Sequence, residues 1–216
     1  MKTEVVIFDF DGTIGDTAKT IVAAKQETMR IAGLVVADET TCLSTIGLSC
    51  RAGFLSVYPD LPEAKLDLCV SEYKTVFEEM KRKIPPTCFE GVERVLAVLK
   101  EQKIKSTIAT SRGQDSLKTF LEEWGIDGYF PYVLGAEGTE LLKPNPDPVL
   151  KTLKDLQIDP KQALVVGDMP VDIEMGKAAG VYTCGVTYGN ASRESLKAAG
   201  ADFIIDRIEE LLDIVG

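Results

Sequence analysis

The chain has 216 residues, 45% of them hydrophobic and 27% charged, with a formal net charge of −10 at pH 7. That length suits one or two compact domains with a sizeable core, and the acidic balance excludes the basic stripe that a nucleic-acid partner requires. Histidine is absent, which rules out Ser-His-Asp and Cys-His nucleophiles, an imidazole general base and histidine-held zinc or iron.

Residues 4–10 predict a buried strand that runs out in Asp9 and Asp11, with Phe10 between them. This apolar run meets two carboxylates and has no small-residue cleavage site, so it is not a signal peptide. No stretch approaches the ~20 apolar residues of a membrane span. The expectation is a cytoplasmic protein with no membrane partner. From about 16 to 85 only helical patterns occur. The best is 62–82, where Leu66, Cys69, Val70, Tyr73, Phe77 and Met80 recur at helical spacing and read as core. The basic run at 81–83 suits a helix C-terminus, and "IPP" at 84–86 breaks the pattern.

After the break, helices and strands alternate: a helix in "GVERVLAVLKEQ", a strand in "KSTIATS", a helix in "QDSLKTFLEEWG", a strand in "YVLG" and a helix in "NPDPVLKTLKDLQ". The strands "ALVVGD" and "VYTCGV" follow, with the helices "VDIEMGKAAG" and "SRESLKAAG", before "DFIID" and "RIEELLDIV" close the chain. Such alternation predicts an α/β fold, a Rossmann-like three-layer arrangement with helices on both faces of a parallel sheet. The core is expected from residues 1–15 and 86–216. A separate all-helical unit, residues 16–85, is inserted after the first strand, since a structureless loop of that length would be exceptional. The five cysteines, Cys42, Cys50, Cys69, Cys88 and Cys184, are odd in number and lack CxxC spacing, so they read as packing residues. "NAS" at 190–192 matches a glycosylation sequon by chance.

Several strands end in oxygen-bearing side chains: Asp9 and Asp11 after the first, Thr110 and Ser111 after "STIA", Asp168 after "ALVVG". In an open parallel sheet, ligands bind beyond the carboxyl ends of the strands. Asp9 and Asp11, two apart on extended backbone, face the same way. With Asp168, and Asp172 one helical turn later, they crowd negative charge and call for a cation. The donors are all hard oxygens, which favours Mg²⁺. Gly12 and Thr13 follow in a turn able to aim N–H groups inward, and Lys143 offers a compact positive charge before a proline-stiffened helix start. Together these suit a phosphate.

These residues resemble the haloacid dehalogenase-like hydrolases. "DFDGT" at 9–13, "TIATS" ending at Thr110, Lys143 in "KPNPDP" and "VVGDMPVDIEMGKAAG" at 165–180 are similar to the four motifs of that superfamily. The helical insert resembles its small cap, and "CFEGVERVLAVLK" at 88–100 the segment where the cap rejoins the core. The pattern is most similar to the phosphoglycolate phosphatase-like and β-phosphoglucomutase-like branch. The resemblance implies that Asp9 is the nucleophile, that Asp11 acts as acid and then base, and that Thr110 and Lys143 bind the phosphoryl group. It further implies that Asp9, the Asp11 carbonyl and Asp168 hold Mg²⁺, with Asp172 orienting that shell or the lysine. The expected activity is a phosphatase acting on a small phosphorylated metabolite through an aspartyl-phosphate. "STIGLSCR" at 44–51 is similar to the cap loop facing the site, which makes Gly47 and Arg51 candidate substrate contacts, with Arg112 a third. A phosphomutase or an inorganic pyrophosphatase would share all these motifs. A receiver-type signalling module would carry its aspartate on a later strand and lack the insert. The expected assembly is a monomer or weak homodimer.

Overall fold

The computed structural model describes residues 2–216. Strand β1 (Val5–Phe8) sits at the centre of a six-stranded parallel sheet. β4 (Lys105–Ala109) and β5 (Tyr132–Leu134) lie on one side of it. β6 (Ala163–Gly167), β7 (Tyr182–Val186) and β8 (Phe203–Ile205) extend the other side. All four β1 residues are at most 1% exposed, as an apolar strand covered on both faces must be.

Alternate β1 side chains build the two outer layers. Val6 and Phe8 join a core cluster with Val92, Val95, Leu96 and Leu99 of α5 (Val92–Glu101) and Leu117 and Phe120 of α6 (Gln114–Glu123). Val5 and Ile7 pack instead with Val149 and Leu153 of α7 (Asp147–Leu156) and Met175 of α8 (Pro170–Ala178). This is the expected three-layer α/β fold. The tail "RIEELLDIV" divides into a short 3-10 turn (Ile208–Glu210) and a helix (Leu211–Val215).

Four helices occupy the insert: α1 (Ala18–Ile31), α2 (Glu39–Leu43), α3 (Cys50–Val57) and α4 (Glu63–Lys83). They enclose a core of their own, with Val22, Met29, Cys42, Phe54, Leu66 and Cys69. The ends of the insert are joined by an antiparallel ribbon, β2 (Gly15–Asp16) on β3 (Thr87–Cys88). Sequence reading found no strand here, because two residues cannot display an alternation.

The apolar stripe of α4 is core, as expected, but it is shared between two clusters. At about 1.5 Å per residue, 21 residues reach past the small core. Leu66 and Cys69 fill that core, whereas Val70, Tyr73 and Phe77 border a cavity facing the sheet. No helix among the described residues is long and apolar enough to cross a membrane.

Candidate active site

Register brings three strand ends together. Phe8 lies beside Ile108 of β4 and Val166 of β6, so Asp9, Thr110 and Asp168 emerge at one edge of the sheet. The Asp9 N–H still donates to the Val166 carbonyl (2.8 Å), and Thr110 N–H donates to Leu134 (3.0 Å). Beyond Asp9 the chain turns tightly, with the Ile14 and Gly15 N–H groups both donating to the Phe10 carbonyl. Phe10 is fully buried and stacks on Trp124 at 5.5 Å, which anchors the turn.

Asp9, Asp168 and Asp172 form a buried triad whose facing carboxylate oxygens lie within 4.8 Å of one another. Lys143 crosses from its loop to donate to Asp9 Oδ1 (2.5 Å) and Asp172 Oδ1 (2.7 Å). Three carboxylates against one ammonium leave two negative charges uncompensated in a desolvated pocket. Burial pushes the Asp9 carboxyl up to about 7; Lys143 opposes this, while Asp172 and Asp11 add to it. Asp168 is raised well above its ordinary value by burial, then by Asp172 and Asp9. For Lys143, burial works downward, but Asp172 and Asp9 outweigh it and hold the ammonium above its usual range.

The remaining oxygens define a donor set. Asp172 spends its second oxygen on the Met169 N–H (3.0 Å) at the start of α8. Asp168 Oδ2 accepts from the Asn190 N–H and side-chain amide, at 2.8 and 2.7 Å. Asp9 Oδ2 is buried without any hydrogen-bond partner, and Asp168 Oδ1 has only a long contact from Thr13 Oγ1 (3.4 Å). An orphaned carboxylate oxygen and a weakly used one, both hard donors, fit a divalent cation such as Mg²⁺.

Gly12 is required by close approach. Its φ is +91°, and a Cβ there would sit 2.1 Å from Asp168 Oδ2 and 2.4 Å from the Asn190 amide nitrogen. We expect Gly12→Ala to displace Asp168 and weaken magnesium binding by about tenfold or more. Magnesium titration monitored calorimetrically checks this, and an unchanged affinity would show that the cradle is not needed.

Asp11 points to a different set of partners. It accepts from Thr17 Oγ1 (2.7 Å) and from Arg112, with Nη2 to Oδ1 at 2.6 Å and Nε to Oδ2 at 3.0 Å. Arg112 also donates to Ser116 (2.8 Å) and lies over Phe10, Phe77 and Phe120, with ring centroids 5.6, 4.7 and 4.9 Å from its Cζ. Phe77 comes from the insert and the other two rings from the sheet domain, so Arg112 bridges the two units while fixing Asp11.

A cavity of about 400 Å³ opens between the helical insert and the strand ends. Asp9, Asp11, Thr110, Ser111, Arg112 and Gly47 all border it. The Ser111 hydroxyl is buried there without a partner. Gly47 occupies the insert's inner loop, where a Cβ would press on Val171 at 3.2 Å. Gly12 and Thr13 serve the triad and lie outside the cavity wall. Arg51 is not brought to the site at all. Its guanidinium pairs with Glu63 and, at 2.9 Å, with Asp67 on the surface of the insert, because helical phase turns position 51 outward while Cys50 borders the cavity.

Sequence reading missed Asn190 and Tyr188. Asn190 was noted only within the chance sequon, yet it anchors Asp168. Tyr188 donates to the Thr13 carbonyl at 2.9 Å and braces the same turn. The available signal was their place just beyond the C-terminal end of β7, on the edge where the other site residues emerge.

The chain resembles known proteins in sequence and in fold. Residues 6–186 match the family model described as haloacid dehalogenase-like hydrolase. The Dickeya dadantii protein named "Probable phosphatase IndB" is 34% identical over 210 residues, which is 96% of this chain and 91% of the relative. Pyrophosphatase PpaX of Bacillus pumilus is 31% identical over 211 residues, covering 98% of this chain and 95% of the relative. A crystal structure from Bacteroides fragilis assigned to the haloacid dehalogenase-like hydrolases superposes with a TM-score of 0.91 at 26% identity, over 97% of this chain and 100% of that one. On this match and these identities, the chain is a member of the haloacid dehalogenase-like hydrolase family.

Proposed function

We propose that the chain is a Mg²⁺-dependent phosphatase that hydrolyses a small phosphorylated metabolite through an aspartyl-phosphate on Asp9. The observation that carries this is Asp9 itself. One oxygen is held by Lys143, while the other is buried without a partner in a residue that borders the cavity. A desolvated, oriented carboxylate oxygen of this kind is an activated nucleophile.

In the first step one carboxylate oxygen of Asp9 bonds to phosphorus as the bond to the leaving oxygen breaks, and Asp11, entering the step as the carboxylic acid, gives its proton to that oxygen. In the second, Asp11 takes a proton from water as the water oxygen attacks phosphorus and the bond to Asp9 breaks. Thr17 and Arg112 hold Asp11 as the carboxylate that takes the proton from water, and the first transfer requires Asp11 to be protonated with the Arg112 pair loosened. Lys143 places positive charge beside the attacking carboxylate, and the Thr110 and Ser111 hydroxyls line the space where phosphoryl oxygens would lie. Such a transfer depends on positioning and charge neutralisation. Asp9, Asp168 and the Asp11 carbonyl would hold Mg²⁺, with Asp172 orienting Lys143; when bound, the ion neutralises charge on the nucleophile and the phosphoryl group.

The cavity's size favours a small metabolite, and the protein would act in the cytoplasm as a monomer or weak homodimer. The test is release of inorganic phosphate from p-nitrophenyl phosphate. Turnover is expected with Mg²⁺ and is expected to disappear with chelator; metal-independent turnover would refute the reading.

A further inference from the structure

Lys25 lies on the inner side of α1, 7% exposed, and borders the cavity from the insert, facing the strand ends. Its ammonium donates to the Thr45 hydroxyl, which in turn donates to the Cys42 carbonyl at 2.8 Å. Gly53 flanks it: a Cβ at that position would stand 3.4 Å from Nζ, an ordinary contact distance. Among the described residues no carboxylate forms an ion pair with it, and two of its three donors have no acceptor. Burial lowers its pKa to about 8, with smaller opposing contributions from Cys42, Cys50 and Asp11.

The other cations near the cavity differ. Lys143 is spent on Asp9 and Asp172, Arg112 is spent on Asp11, and Lys74 is exposed to solvent. A buried ammonium without a counter-ion is destabilising, and an aliphatic side chain of the same length would serve packing better. Its position makes sense if the counter-ion arrives with the ligand.

We propose that Lys25 is a specificity residue that receives a second anionic group of the substrate. The preferred substrates are then small molecules carrying a carboxylate or a further phosphate beside the phosphoryl group that Asp9 attacks. This rests on the phosphatase reading above and deepens it. Contact at a remote anion is worth most when it holds the reacting phosphorus against Asp9, so the effect falls on kcat/KM.

The test compares phosphoglycolate, which has a remote carboxylate, and pyrophosphate, which has a second phosphate, with p-nitrophenyl phosphate, which has neither. All three are assayed with Mg²⁺ in the wild type and in Lys25→Met. The ratio of kcat/KM for the better anionic probe to that for p-nitrophenyl phosphate should fall about thirtyfold in the variant, and Lys25→Arg should recover part of it. Which anionic probe responds tells a carboxylate from a phosphate. The thermal midpoint of Lys25→Met should be equal to or above that of the wild type. A ratio unchanged within about twofold overturns the proposal, as does wild-type turnover of the aryl phosphate with neither anionic probe hydrolysed. A parallel fall for all probes with a lowered midpoint would make Lys25 structural and also overturn it. No Mg²⁺-dependent turnover of any probe by the wild type would instead refute the phosphatase reading beneath it.

Discussion

Asp9→Asn should lower kcat by at least about a thousandfold on any phosphate ester the wild type accepts. The amide keeps the shape of the carboxylate and can still accept from Lys143, so the geometry around β1 has little reason to move. What it loses is the electron pair that attacks phosphorus. Removing the nucleophile takes away the whole two-step route rather than one stabilising contact, hence the size of the effect. Acid-quenched wild-type enzyme should contain a hydroxylamine-sensitive acyl phosphate during turnover, and the variant should contain none. Stability separates this loss from misfolding. Because burial and neighbouring carboxylates make the ionised Asp9 unfavourable in the folded chain, the metal-free variant should melt no lower than the wild type. Full activity in Asp9→Asn would remove Asp9 from the chemistry.

The parts of this site that could be read from sequence are those that local pattern determines. A strand such as Val5–Phe8 is uniformly apolar because both faces of a parallel sheet are covered, so the first carboxylate after it is conspicuous. Thr110 and Asp168 stand out for the same reason. Lys143 lies 134 residues from Asp9; no spacing rule joins them, so sequence offered it as a compact positive charge before a proline-stiffened helix start, and its place among the motifs came from resemblance to a family. Arg51 and Arg112 show the limit more sharply. Both were candidate substrate contacts; side-chain direction on a short helix sends Arg51 to Glu63 and Asp67, away from the cavity, while Arg112 borders the cavity, held on Asp11 within an aromatic box built from two units. Lys25 was invisible because its neighbour Thr45 is brought to it only by the folded chain, and Asn190 was marked only by its place beyond β7.

Magnesium should raise the midpoint of thermal unfolding, and the size of the rise should depend on pH in a defined direction. A ligand at about one hundred times its Kd stabilises the folded state by about 2.7 kcal/mol, which for a chain of this length corresponds to roughly 5–10 °C. Without metal, the relevant group is Asp9, whose pKa stands at about 7 in the folded chain against 3.8 ordinarily. The folded state therefore binds a proton that the unfolded state does not, and the stability this confers is present at low pH and lost as pH rises through about 7. Asp168, also raised, acts in the same direction.

Other shifted groups fall outside that window. Lys25, depressed to about 8, completes its change above it, and the surface aspartates Asp38, Asp155, Asp202 and Asp206, held below 3.8, act beneath it. The metal-free midpoint should thus climb between about pH 8 and about pH 5. Magnesium requires the same oxygens deprotonated, so protons compete with it. The gap between loaded and metal-free curves should be widest near pH 8 and close towards pH 5, as followed by differential scanning calorimetry. A gap that is absent, or that widens as pH falls, would mean that Asp9 and Asp168 do not form the metal site.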